Sequence, residues 1–181
     1  MKISPAMKKQ LDDQVALEAA ASHSYLAMAS WAELAGYPGT ASYFYAQSAE
    51  ERDHMLRIIN YMNTIGAGAV IPKIDKPSVA SFKSVEDLIK TALKNEQAVT
   101  KAIHKMAQAA QKGGDYATFD FLSWFVKEQV HEEAQFEDIL QKFNTIGRDG
   151  VAVNEIDKIL GARNSGGGDT GAAAPAASGA P

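Results

Sequence analysis

The stretch Asp115–Phe136, DYATFDFLSWFVKEQVHEEAQF, decides the fold. Leu122, Val126, Gln129, Glu132 or Glu133, and Phe136 recur at steps of three and four, and Leu140 and Phe143 continue the series. Residues at those steps lie above one another on a helix, so the stripe is one face of a long α-helix. Asp115 follows Gly113-Gly114, a turn, and carries a side chain suited to capping the helix start. The stripe is apolar at both ends and polar in the middle. A second register, Glu128-x-x-His131, sits one residue earlier but is rotated by about 100° from the apolar stripe. Gln129 and Glu132 are therefore the pair expected to face inward.

Three similar stripes lie upstream. Ser4-Pro5 starts the first, with a capping serine and a proline at the first helical position; Leu11, Val15, Glu18, Ser22, Tyr25 and Ala29 follow. Gly36-Tyr37-Pro38-Gly39 ends it, and Thr40 is the expected cap of the second helix. Phe44, Gln47, Glu51, His54, Ile58, Tyr61 and Ile65 form that helix's stripe. Residues 66–83, with Gly66, Gly68, Pro72 and Pro77, read as a long connection. Ser84 and Asp87 resemble a capping box, followed by Val85, Ile89, Ala92, Glu96, Val99, Ile103, Met106 and Ala110. Val151–Leu160 suggests a short fifth helix. Two short turns around one long connection predict an all-α four-helix bundle whose second and third helices run parallel, joined by a single crossover.

Each apolar face is interrupted by polar groups: Glu18, Glu51 with His54, Glu96, and Gln129 with Glu132. A buried carboxylate is costly unless paired or bound to a cation. The offsets repeat. Glu18 to Glu51 and Glu96 to Gln129 are each 33 residues; Glu51 to His54 and Gln129 to Glu132 are each 3. A shift of 78 residues carries the first set onto the second, Gly36 onto Gly114, and Glu50 onto Glu128. Two helical hairpins would thus present matching groups to one shared centre. A Glu on two helices and Glu-x-x-His on the others is the di-iron carboxylate pattern, here with Gln129-x-x-Glu132 in the second half. That departure predicts two inequivalent metals. Glu50 and Glu128 would flank the centre, either as an additional cation position or as ordinary helix-surface acids. Tyr25, two turns after Glu18, is either a packed core tyrosine or a hydrogen-bonding, redox-active one. Trp124 and Met28, Met55, Met62 and Met106 read as packing residues, His23 and His104 as surface or packing positions.

Composition bounds the chemistry. The 181 residues carry 18 Lys+Arg against 22 Asp+Glu, a formal net charge of -4, 4 His and no Cys. One domain is expected at this length. The acidic balance argues against nucleic acid or an anionic membrane as partner. Without cysteine, disulfides, thiolate zinc and iron–sulfur clusters are excluded, so a metal must be held by oxygen and imidazole. The N-terminal MKISPAMKKQLDDQV has no apolar signal-like run, which fits a cytoplasmic location. Residues 161–181, GARNSGGGDTGAAAPAASGAP, lack large apolar side chains and read as a disordered tail to a domain of residues 1–160.

Glu18, the run Glu50-Glu51-Arg52-Asp53-His54, Glu96, Glu128-Gln129 and above all Asp115–Phe136 resemble the bacterial non-haem ferritins, over about residues 5–160. The resemblance implies a ferritin-like bundle and an iron-storage ferroxidase, in which Fe(II) is oxidised by O2 or H2O2 and passed to a ferric mineral. It also implies a homo-oligomeric shell of twenty-four subunits. On it, Glu18, Glu51 and His54 hold one iron, Glu51 bridges, and Glu96 and Glu132 hold the second with Gln129 adjacent. Tyr25 matches the family's tyrosine beside the site. Glu50 and Glu128 match a third iron position, although His131 stands where a further glutamate is usual. No haem is expected, since Arg52 occupies the place of a bacterioferritin's haem-ligating methionine. A rubrerythrin would need cysteine, and the DNA-protecting mini-ferritins build their sites between subunits. The competing readings are a di-iron oxidoreductase with a retained cofactor and a scaffold with a degenerate site.

Overall fold

A computed structural model describes residues 3–77 and 82–163. Among these are five helices and no strand: α1 Pro5–Leu34, α2 Pro38–Thr64, α3 Val85–Lys112, α4 Tyr116–Ile146 and α5 Gly150–Arg163. Four of the five helix starts are capped by a neighbouring side chain. Ser4 accepts from the Met7 N–H, Ser84 from the Asp87 N–H and Asp115 from the Thr118 N–H, each at 3.1 Å. Asp149 Oδ1 accepts from the N–H groups of Val151 and Ala152 at 2.9 and 3.0 Å. Asp87 closes a modified capping box, taking the N–H of Lys83 at 3.1 Å instead of that of Ser84.

The two short turns are copies of one another. Gly36 (φ +83°) and Gly114 (φ +68°) adopt the left-handed conformation that favours glycine. The next N–H in each case, on Tyr37 or Asp115, returns at 2.9 Å to the carbonyl of Ala32 or Ala110. The copies differ at the helix that follows. Asp115 caps α4, whereas Tyr37 offers α2 no side-chain bond. Thr40 is not the cap expected from the sequence, because Pro38 starts the helix two residues earlier and Thr40 lies inside it. The cap comes from α5: Asp157 accepts the N–H groups of Gly39 (3.1 Å) and Thr40 (2.7 Å) and the Thr40 hydroxyl (2.7 Å).

Two apolar clusters make up the core. One joins Tyr25 and Met28 of α1, Phe44 of α2, Ile89 of α3 and Phe136 and Phe143 of α4 with Ile156 and Leu160 of α5. The other joins Leu11 and Val15, Ile58 and Met62, Val99 and Ile103, and Leu122 and Phe125. Along the chain α2 and α3 both run from the first cluster to the second, while α1 and α4 run the opposite way. The second and third helices are therefore parallel, and the chain between Thr64 and Val85 connects them.

All eight positions of the α3 stripe are buried. In α4 the inward face takes Phe125 and Ile139 in place of Val126 and Leu140, which are half-buried. In α2 it ends on Met62 instead of Ile65. A helix of 3.6 residues per turn drifts off any fixed step of three and four. Helix α5 runs three residues past the expected Leu160, and Gly161 packs there so closely that a Cβ would lie 3.0 Å from Gly39 Cα. Arg163 reaches the Gln135 carbonyl at 3.4 Å and pairs with Asp138. The rest of the expected tail, 164–181, lies outside the described residues. No described helix is long and apolar enough to cross a membrane.

Candidate metal centre

Between the two apolar clusters lies a polar layer. Glu18, Glu51, His54, Glu96, Gln129 and Glu132 are all buried, each helix contributing from the middle of its core face. The inward register of α4 is the one read from its apolar stripe, with His131 exposed. Carboxylate or imidazole atoms of Glu18, Glu51 and His54 lie within 4.8 Å of one another, as do those of Glu50, His54, Glu128 and Glu132. His54 belongs to both groups, and its Nδ1 is 3.5 Å from Glu51 Oε2.

Burial dominates the electrostatics. It pushes the Glu18, Glu51 and Glu132 carboxyls well above the ordinary carboxylate range, helped by Glu51, Glu96 and Glu50 respectively. Burial also raises Glu96, opposed by hydrogen bonds from Tyr25 and Gln129, and raises Glu50, with Glu128 adding to the effect. The Tyr25 hydroxyl, fully buried and donating to Glu96 Oε1, is itself held well above its usual value by burial and then by Glu96. Without a cation the layer therefore favours neutral carboxyls; a divalent ion reverses that preference.

The donors are only partly satisfied within the chain. Gln14 Nε2 donates to Glu18 Oε1 at 2.8 Å, and Gln47 Nε2 to Glu50 Oε2 at 2.8 Å. Gln129 Nε2 donates to Glu96 Oε2 at 3.1 Å, to its carbonyl at 3.3 Å and to the Thr100 hydroxyl at 3.2 Å. Thr100 in turn donates to Glu133 Oε1 at 2.5 Å. Glu18 Oε2 and both oxygens of Glu132 are buried without a hydrogen-bond partner among the described residues. Buried acceptors left this way are rare, and an oxygen- and nitrogen-rich set suits a hard or borderline divalent ion. The residues fit such an ion.

Sequence reasoning missed Gln14, whose position one turn before Glu18 is the only signal. It also missed the pairing of Gln47 with Glu50 and the Thr100–Glu133 link. Trp124 is half-buried at the edge of the layer, its ring 5.4 Å from that of His54, with the Arg57 guanidinium carbon 4.0 Å from the centre of the Trp124 ring. His23 and His104 are exposed.

Fold and layer together define a class: single-crossover four-helix bundles with a buried carboxylate–histidine centre. A family model described as a ferritin-like domain matches residues 8–146, and the chain belongs to that family. It is 38% identical over 159 residues to a probable bacterial non-heme ferritin-like protein of Haemophilus influenzae, covering 88% of this chain and 96% of the relative. It is 38% identical over 161 residues to a bacterial non-heme ferritin of Staphylococcus aureus, covering 89% and 96%. Among solved structures, an open pore ferritin from the archaeon Archaeoglobus fulgidus superposes with a TM-score of 0.85 at 31% identity, over 89% of this chain and 98% of that one. A humanized archaeal ferritin gives 0.84 at 32%, over 88% and 98%. Iron binding and iron storage are properties of this family.

Proposed function

We propose that the chain is an iron-storage ferroxidase. Fe(II) is its substrate, taken up by Glu18, Glu51 and His54 at one position and by Glu96 and Glu132 at the other, with Glu51 between them. Gln129 and Tyr25 orient Glu96, and Glu50 and Glu128, with His54 and Glu132, offer an additional position. The observation that carries this reading is Glu132, whose two buried oxygens have no hydrogen-bond partner among the described residues while other carboxylates and His54 converge on them. Oxygen-rich ligation favours Fe(III) over Fe(II), so the electrons pass readily to an oxidant. Two irons supply two electrons: with two protons, O2 becomes H2O2; H2O2 becomes two waters. Carboxylates that change denticity let ferric iron leave, as storage requires. The same reading takes the chain as a cytoplasmic homo-oligomer, a shell of twenty-four subunits enclosing the mineral.

Stopped-flow oxidation of added Fe(II) tests the activity. The wild-type chain is expected to oxidise iron far faster than buffer alone, and Glu51→Ala and His54→Ala to lose roughly 10–100-fold of that rate. Wild-type oxidation no faster than buffer overturns the ferroxidase reading. A monomer or dimer in size-exclusion chromatography overturns the shell.

A further inference from the structure

Gln14 is 1% exposed, lies one turn before Glu18 on α1 and has no assigned part in iron oxidation. Its Nε2 donates to Glu18 Oε1 at 2.8 Å, while Glu18 Oε2 is buried and accepts from no donor among the described residues, the Glu51 carboxyl lying against that of Glu18. A carboxylate oxygen can be met only by the NH2 end of the amide, since the other end is a second acceptor. The two oxygens of Glu18 are thus inequivalent before any ion arrives: one is occupied, the other offered. Glu132 provides the contrast, with both oxygens free. Gln14 also lines a cavity of about 110 Å³ between α1 and α3, together with Gln10, Asp13, Leu17 and Lys105.

We infer that Gln14 is a positioning residue that restricts Glu18 to ligation through Oε2 alone. The inference rests on the metal-centre reading above. Its consequence concerns turnover. A Glu18 free to chelate with both oxygens would add a donor to the first ion, fill a coordination position needed by the oxidant and hold the ferric product longer. With Gln14 holding Oε1, that freedom is left to Glu132 on the opposite helix. Groups that orient a metal's ligands commonly matter nearly as much as the ligands themselves.

Co(II) is the probe, because its visible d–d absorption strengthens as coordination number falls. The full-length protein, wild type and Gln14→Met, is titrated with Co(II), and affinity and band intensity per bound ion are read together. Methionine keeps the length and apolar bulk of the side chain and removes the N–H. Gln14→Leu is read in parallel, so that the comparison does not depend on one variant folding. The expected result is binding at the first-filled position at least as tight as wild type, with a weaker band per ion as Glu18 takes up both-oxygen ligation. A folded variant with wild-type affinity and band overturns the role of Gln14. Weaker binding with an unchanged band also overturns it, because a packing defect alone would produce that. A wild-type chain that binds no Co(II) overturns the metal-centre reading itself, and this inference with it.

Discussion

Glu132 has both carboxylate oxygens buried, and neither accepts a hydrogen bond. Burial holds its carboxyl well above the ordinary range, with Glu50 and Glu96 reinforcing the effect. The sign for stability follows directly. An acid whose folded pKa exceeds its unfolded value binds more protons when folded, so its contribution is complete below about pH 4.3 and is lost as pH rises through the folded value. Glu18 and Glu51 shift in the same direction. Metal-free protein should therefore melt at lower temperature at pH 8 than at pH 5, and a divalent ion should restore stability most at the higher pH. Glu132→Gln, neutral at every pH, should raise the metal-free melting temperature at pH 8 by several degrees and flatten its pH dependence. Thermal melts of both forms across this range check it; a wild-type midpoint that rises between pH 5 and 8 sinks the argument. The six polar positions of this layer were legible because each breaks an apolar helical stripe and their offsets repeat. Gln14 was not, since a glutamine one turn from a glutamate on a helix is ordinary until burial is known.

The helix that carries Glu50, Glu51 and His54 has its first turn capped from outside. Asp157 of α5 accepts two backbone N–H groups and the Thr40 hydroxyl, bonds spanning more than a hundred residues of sequence. A carboxylate at a helix N-terminus satisfies donors that the helix cannot and sits favourably in its dipole. Asp157→Ala should cost about 1–2 kcal/mol in denaturant unfolding, with Asp157→Asn losing less because an amide oxygen still accepts. Gly39→Ala should be worse than either, because its Cβ would meet the Asp157 carbonyl oxygen at 1.9 Å, and backbone there cannot yield without undocking α5. Equal stability of Gly39→Ala and wild type would rule out this packing. Helix number, the parallel α2 and α3, and the Ser4, Ser84 and Asp115 caps follow from residues within a few positions of one another. Local rules favour a threonine after a turn containing glycine and proline as a cap, and no local rule can find a capping carboxylate on a helix at the far end of the domain.

Every group of the candidate centre comes from one chain, so binding and assembly are separable properties of the molecule. The proposed assembly must use the outside of the bundle, where large apolar residues remain uncovered. Among them are Val70 and Ile71 of the crossover, 59% and 70% exposed. The crossover is held to the bundle near that point, the Val70 N–H donating to Asp12 Oδ1 of α1 at 2.9 Å. Exposed apolar side chains on a fixed backbone are suited to contact with another protein surface. Replacing both with lysine should leave the fold intact, since neither is buried, and should disfavour any packing that covers them, since a lysine side chain is costly to desolvate. Light scattering coupled to size-exclusion chromatography is then expected to show smaller species than wild type. Co(II) bound per chain should be unchanged, because no ligand is borrowed from a neighbour, while retention of oxidised iron in soluble form should fall with the loss of an enclosing shell. An assembly of undiminished size removes the crossover from the interface. Smaller particles that no longer bind Co(II) would mean instead that the centre needs a second subunit, contrary to its construction within one bundle.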